Sequence, residues 1–145
     1  MKKLFTKICI SSDHAGFALK EKIKDYLINK SISVIDLGPF SGVSVDYPDY
    51  AKKVAKRLML QKSDAGILVC GSGTGMAITA NRFKGIRAAQ CYNKSSTILS
   101  RKHNNSNIIC LGSRMLKYKD AFKYVTCFLD TKFEGGRHQK RINKI

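Results

Sequence analysis

No run of eighteen or more apolar residues occurs in this chain of 145 residues, so no membrane span is expected. The amino end, MKKLFTKICISS, passes from basic residues straight into a short alternating apolar segment without a small-residue cleavage site, and no signal peptide is expected either. The five cysteines, Cys9, Cys70, Cys91, Cys110 and Cys127, are odd in number, lack CxxC spacing and mostly sit in apolar runs. That usage argues against a disulfide framework and for buried thiols in a reducing compartment, with the cytoplasm the simplest location. Proline is nearly absent, with only Pro39 and Pro48, and there is no internal repeat and no low-complexity linker. The length suits one domain over residues 1–145.

Acidic residues are also scarce: 10 against 27 Lys and Arg, a formal charge of +17. Such an excess favours polyanionic partners such as nucleic acid or a charged membrane surface. Here, however, the lysines are scattered along the chain, the pattern of solvated helix faces, whereas nucleic-acid binders cluster basic residues among exposed aromatics. Only a basic carboxyl-terminal extension, 131–145, concentrates charge: Lys132, Arg137, Lys140, Arg141 and Lys144 face the single acid Glu134.

What the chain does contain is an alternation of short Ile/Val-rich runs with stretches of helical period, the signature of βα units around a parallel sheet. Strands are predicted at Lys7–Ser11, Ser33–Leu37, Gly66–Cys70, Ile86–Cys91 and Asn107–Gly112, and helices over 15–30, 49–62, 75–83, 93–102 and near 117–129. Runs apolar without alternation are buried on both faces, so GILVC and NIICL are the expected central strands. Both prolines fall in LGPFSGVSVDYPDY, an unusually long strand-to-helix link of the kind that often lines a site.

The segment LVCGSGTGMAITANR sets Cys70 at the end of a predicted central strand, followed by Gly71, Gly73 and Gly75. In an open parallel sheet this is where ligands bind, because the next helix offers unpaired amides and a favourable dipole to anions. The dinucleotide spacing fails, since its third glycine would fall at Met76, and no GK[ST] follows to make a phosphate loop. A tight structural turn and an anion cradle both remain open. A thiol facing helix amides is a usable base or nucleophile. Other polar residues stand at strand ends: Ser12, Asp13 and His14 after the first strand, His103 and Asn104 before the fifth. Each histidine, His14, His103 or His138, has an ordinary explanation as a helix-end or solvated residue, and only their joint placement suggests a site.

Taken together, SSDHAGFALKEKI, VDYPDYA, GILVCGSGTGMAITANRFKGIRAA, SRKHNNSNIICLGSR and FEGGRHQKR resemble the type B ribose-5-phosphate isomerases, a family that includes galactose- and allose-6-phosphate isomerases. The likeness spans essentially the whole chain in order. It implies a Rossmann-like α/β/α three-layer sandwich with a parallel sheet of about five strands, and aldose–ketose conversion through an enediolate. It further implies a homodimer or homotetramer with the site at the subunit interface, and neither metal nor organic cofactor. By this resemblance Cys70 is the base, while Ser72, where many members have threonine, and His103 assist ring opening. Amides of Gly71, Gly73 and Gly75, with Asn104, would stabilise the enediolate oxygens. Asp13 would hold sugar hydroxyls and Tyr47 line the pocket, with His14, Arg114, Arg137 and Arg141 gripping phosphate, some from the partner subunit. One branch of the family uses a glutamate at the position of Met76; methionine there places this chain with the cysteine branch. Arg137 and Arg141, four apart, would share a face of a helix and suit bidentate phosphate binding. Ribose 5-phosphate is thus the expected substrate, galactose or allose 6-phosphate the alternative, and a basic nucleic-acid-binding module the alternative from another class; no membrane or nucleic-acid partner is expected for the isomerase.

Overall fold

The computed structural model describes residues 2–145. Five strands form one fully parallel sheet: β1 (Ile8–Ser12), β2 (Val34–Asp36), β3 (Ala65–Cys70), β4 (Ala88–Gln90) and β5 (Ile108–Gly112), in the order β2-β1-β3-β5-β4. Connecting helices are α1 (Phe17–Asn29), α2 (Tyr47–Met59), α3 (Thr74–Ala80), α4 (Lys94–Asn104) and α5 (Tyr118–Asp130), and a short α6 (Arg137–Ile142) ends the chain. This is the expected three-layer sandwich.

Strand periodicity divides the core. Ile8, Ile10, Ile67, Val69, Ile109 and Leu111 point to one face, where Leu19, Ile23 and Leu27 of α1 and Ala121, Val125 and Phe128 of α5 cover them. Cys9, Leu68, Cys70, Ile108 and Cys110 point to the other, under Val54 and Leu58 of α2 and Met76 and Ala80 of α3. Every residue of β3 and β5 is buried, as their unbroken apolar runs predict. β1 is buried throughout as well, although Ser11 and Ser12 make its end look polar; Ser11 Oγ donates to the Gly38 carbonyl at 2.7 Å.

The edges of the expected elements shift by a few residues. β4 is three residues long, not six, because only Ala88–Gln90 pair with β5. α2 begins at Tyr47, earlier than its apolar period suggests, since Pro48 is accommodated in a first turn whose amides need no helical acceptor.

Chain direction fixes what meets at each end of the sheet. β1 is followed by a crossover towards β2 on one side, whereas β3 leads away to the other. A topological switch therefore lies between β1 and β3, at the carboxyl ends where Asp13 and Cys70 stand. Gly16 closes this corner: a Cβ there would lie 2.3 Å from the Val69 carbonyl oxygen, so α1 reaches the end of β3 only with glycine.

Candidate active site

At the switch point, the backbone after β3 turns sharply. Gly73 adopts φ +82°, a left-handed conformation that suits glycine, and its amide donates to Cys70 Sγ at 3.1 Å. Cys70 is 4% exposed, so its sulfur is presented at the base of a cleft while the residue stays packed. The Gly73 amide is therefore committed to the thiol, a different use from the enediolate contact expected of it. The loop is braced by its neighbours: Ser113 N donates to the Cys70 carbonyl at 2.8 Å, Arg114 N to the Gly71 carbonyl at 3.0 Å, and Gln90 Nε2 to the Ser72 carbonyl at 3.0 Å.

The cleft above the sulfur measures about 380 Å³. Asp13, His14 and Ala15 form one wall, Gly71, Ser72 and Gly75 another, and Tyr47, Arg114 and Met115 the rim. Asp13 is tied in place by its own backbone, its amide donating to Val69 O at 3.1 Å and its Oδ1 accepting from Gly16 N at 2.9 Å. His14 Nδ1 sits 3.1 Å from the carbonyl oxygen and 3.2 Å from the amide nitrogen of Val45, so the long link between β2 and α2 fixes this ring. The same link delivers Tyr47, whose ring lies where a Cβ on residue 75 would sit, 2.6 Å from Cε2; Gly75 is what allows that approach. Arg114 lies along the loop, its Nη1 3.0 Å from the equivalent point on Gly71.

The remaining predicted residues assemble elsewhere. His103 and Asn104 end α4, which runs back from β4 to the amino end of β5, and α6 packs against it. A second cleft of about 280 Å³ is lined by His103, Asn104, His138 and Arg141, with Ile142 and Ile145. Arg137 opens α6 and Arg141 closes its last turn, on the short helix that their spacing anticipates. Within one chain, then, His103, Asn104, Arg137 and Arg141 do not join Cys70. The registers Gly66↔Ile108 and Cys70↔Gly112 put Cys70 at one end of the sheet and His103 beyond the other.

His138 differs from a solvated tail residue. It is 7% exposed, and its ring stacks on His103 with centroids 4.3 Å apart and planes 13° from parallel. Loss of solvent, followed by the positive fields of His103 and Arg137, lowers its pKa below the ordinary histidine value, with Glu134 opposing. Neutral imidazoles can stack this closely; two imidazolium ions would repel. The ligating atoms of His103, Glu134 and His138 lie within 4.8 Å of one another, near enough for a cation, although parallel rings cannot both direct in-plane lone pairs at one ion. Joint placement with the other two histidines and position within the EGGRHQKR motif were the sequence signals for His138; Gln90, which braces the glycine loop, carried none.

Comparison with known proteins accords with this geometry. The family model described as Ribose/Galactose Isomerase matches residues 8–145. Ribose-5-phosphate isomerase B of Escherichia coli K12 is 43% identical over 139 residues, 96% of this chain and 93% of that one. A ribose 5-phosphate isomerase crystal structure from Thermotoga maritima superposes with a TM-score of 0.94 at 53% identity, covering 96% of each chain. The ribose-5-phosphate isomerase B of Mycoplasma genitalium, solved with bound ribulose-5-phosphate, gives a TM-score of 0.89 at 44% identity over 95% of this chain and 92% of that one. A match of this extent, on a chain whose sheet places a thiol and a glycine loop at the switch point, establishes that the protein belongs to the ribose/galactose isomerase family.

Proposed function

We propose that the protein interconverts ribose 5-phosphate and ribulose 5-phosphate, with Cys70 as the base. The observation that carries the reading is the Cys70 sulfur itself. It faces a cleft of sugar-phosphate dimensions, it receives the Gly73 amide at 3.1 Å, and Asp13, His14, Tyr47 and Arg114 converge on the same space. The amide fixes the sulfur at the base of the cleft, within reach of a bound substrate, which is the geometry a base requires.

In the proposed reaction His103, aided by the hydroxyl of Ser72, moves the proton that opens the furanose. Cys70 then takes the C2 proton, leaving an enediolate across C1 and C2; the O2 hydroxyl proton passes to O1, and Cys70 returns its proton to C1 as the carbonyl forms at C2. The amides of Gly71 and Gly75 with Asn104 meet the developing oxyanion, and Asp13 orients hydroxyls. His14, Arg114, Arg137 and Arg141 hold the phosphate, the planar guanidinium groups matching its oxygens. These steps are acid–base steps on protein groups, and activity is expected to survive chelators.

The distribution of these residues supports a site shared between subunits. One end of the sheet carries the thiol cleft and the other the histidine–arginine cleft, so a two-fold pair would bring each cleft of one protomer against the complementary cleft of its partner. We assign residues 1–145 to one isomerase domain working as a homodimer or homotetramer, with segment 131–145 donated to the partner's substrate. Five free thiols, four of them buried, suit the cytoplasm.

The test is a coupled assay of purified protein against ribose 5-, allose 6- and galactose 6-phosphates, run in deuterated water. Preferred turnover of ribose 5-phosphate with deuterium entering at C1 is expected. Preference for a six-carbon substrate would move the assignment within the family, and turnover of none of the three would remove it.

A further inference from the structure

We propose that Arg101, with Arg87 beside it, is a positioning residue for the second cleft, holding His103 and Asn104 through the backbone at the carboxyl end of α4. The proposal rests on the reading of His103 and Asn104 as substrate-facing groups.

Arg101 is an unusual residue for its place. It is 4% exposed, and among the described residues no carboxylate pairs with it. Its Nη1 donates to the Ser106 carbonyl at 2.5 Å and to Asn105 Oδ1 at 2.9 Å, and its Nε to the Thr131 carbonyl at 3.1 Å. The guanidinium carbon lies 4.8 Å and 5.6 Å from the ring centroids of Phe5 and Phe128. Arg87 reaches the same turn from the other side, its Nε donating to Asn104 O at 3.0 Å and Asn105 O at 3.2 Å, its Nη2 to Asn105 O at 3.1 Å. Two guanidinium groups thus converge on one helix end, and burial depresses both pKa values, for Arg101 with a further contribution from the charge of Arg87.

Burying a cation without an anion is costly, so the arrangement asks what offsets it. Part of the answer is electrostatic: the last carbonyls of a helix lack partners and carry the negative end of its dipole. The rest is geometric. Asn105 takes the left-handed conformation at φ 46°, turning the chain immediately after His103 and Asn104, and the two guanidinium groups bond on both sides of that turn. Arg101 also spans to Thr131, the first residue of the link that leads to α6, and Glu134 N donates to Lys102 O at 3.1 Å beside it. One planar group therefore sets the end of α4 against the tail that carries Arg137, His138 and Arg141. A methionine of similar length would fill the space between Phe5 and Phe128 but leave the Ser106 and Thr131 carbonyls unpaired, free to slide apart.

The test uses Arg101→Met, Arg101→Lys and Arg87→Met in the full-length protein, each first compared with wild type by circular dichroism. Imidazole resonances of labelled His103 and His138 are recorded, and kcat/KM is measured on ribose 5-phosphate alone, in a His103→Asn background and in a Tyr47→Phe background. We expect both imidazole resonances to move and kcat/KM to fall about ten- to a hundredfold. That loss should be smaller where His103 is already replaced, leaving only the share carried by Asn104, while multiplying in full with Tyr47→Phe in the other cleft. Should Arg101→Met not fold, Arg101→Lys and Arg87→Met carry the same expectations. Unmoved imidazole resonances in folded variants, or losses that multiply equally in both backgrounds, overturn the proposal. If wild type turns over no sugar phosphate, the isomerase reading fails, and the imidazole resonances alone decide the role of Arg101.

Discussion

A hybrid-dimer experiment follows directly from the separation of the two clefts. Cys70 pairs with Gly112 at one end of the central strands, and His103 precedes Ile108, which pairs with Gly66 at the other. At about 3.3 Å per residue those four steps alone separate the ends by roughly 13 Å, farther than a five-carbon sugar phosphate reaches. Suppose one chain carries Cys70→Ala and a second carries His103→Asn with Arg141→Ala. Each parent homodimer lacks one half of both its sites and should fall by about two to four decades. In a hybrid, the two lesions combine in one site and the other receives an intact thiol cleft from one chain and an intact histidine–arginine cleft from its partner. Random reassembly of equal amounts makes half the dimers hybrid, each with one working site of two, so the mixture should recover about a quarter of wild-type kcat/KM. The assay is ketose formation at substrate well below KM, with hybrids verified by native mass spectrometry. Verified hybrids that stay at the level of their parents would refute the shared site.

Four further outcomes are expected. Cys70→Ala should lose about 10²- to 10⁴-fold in kcat with substrate binding retained, checked by single-turnover kinetics and calorimetric titration. Arg137→Ala or Arg141→Ala should raise KM by about one to two decades, while Lys132→Ala, Lys140→Ala and Lys144→Ala change it little; a nucleic-acid arm would instead weigh all five alike in a DNA titration at two salt concentrations. Gly16→Ala forces a Cβ to 2.3 Å from the Val69 carbonyl oxygen and should destabilise by about 1–3 kcal/mol, seen as a melting temperature lower by several degrees. Burial raises the Asp36 pKa, but hydrogen bonds from Lys20 and Lys24 and the Gly38 amide outweigh it and hold the carboxyl below its ordinary value. That stability is present above the aspartate range and lost as pH falls through the folded pKa, so Asp36→Asn should flatten the acid limb of a melting-temperature profile.

The layer order and the thiol cleft were legible in the sequence because each depends on local pattern. GILVC and NIICL are unbroken apolar runs, and a strand buried on both faces leaves no other trace. A cysteine at the end of such a run, followed by glycines where α3 must start, fixes the loop without knowledge of anything distant. The short strands were less exact, since β2 and β4 sit at the edges, where pairing on one side only sets their length. His138 was hidden for a different reason: its burial comes from α6 folding back on α4, a contact across 35 residues of sequence between His103 and His138 that no periodicity encodes. Arg101 was hidden more deeply still, because a basic helix end reads as solvated charge and the same +17 excess that masks it consists mostly of residues that are exposed.

Charge of one sign therefore has at least three uses in this molecule, separable by burial and partner. Lys20 is fully buried and spent on Asp36 and the Pro39 carbonyl, at 2.8 Å and 2.7 Å, anchoring the start of the link that carries Val45 and Tyr47. Arg87 and Arg101 are spent on main-chain carbonyls at the end of α4. Arg114 and Arg141 line clefts, where a guanidinium can still meet an anion. On the proposed reading only cations of this third kind gain a partner when a phosphate arrives, so added salt should raise KM through them while leaving the folding contributions of the buried groups nearly unscreened. The scattered surface lysines add long-range attraction for any anionic substrate, and their effect belongs in the association rate. A salt titration that raised KM and lowered thermal stability in parallel would contradict this division, because it would place the binding cations and the structural cations in the same solvent environment.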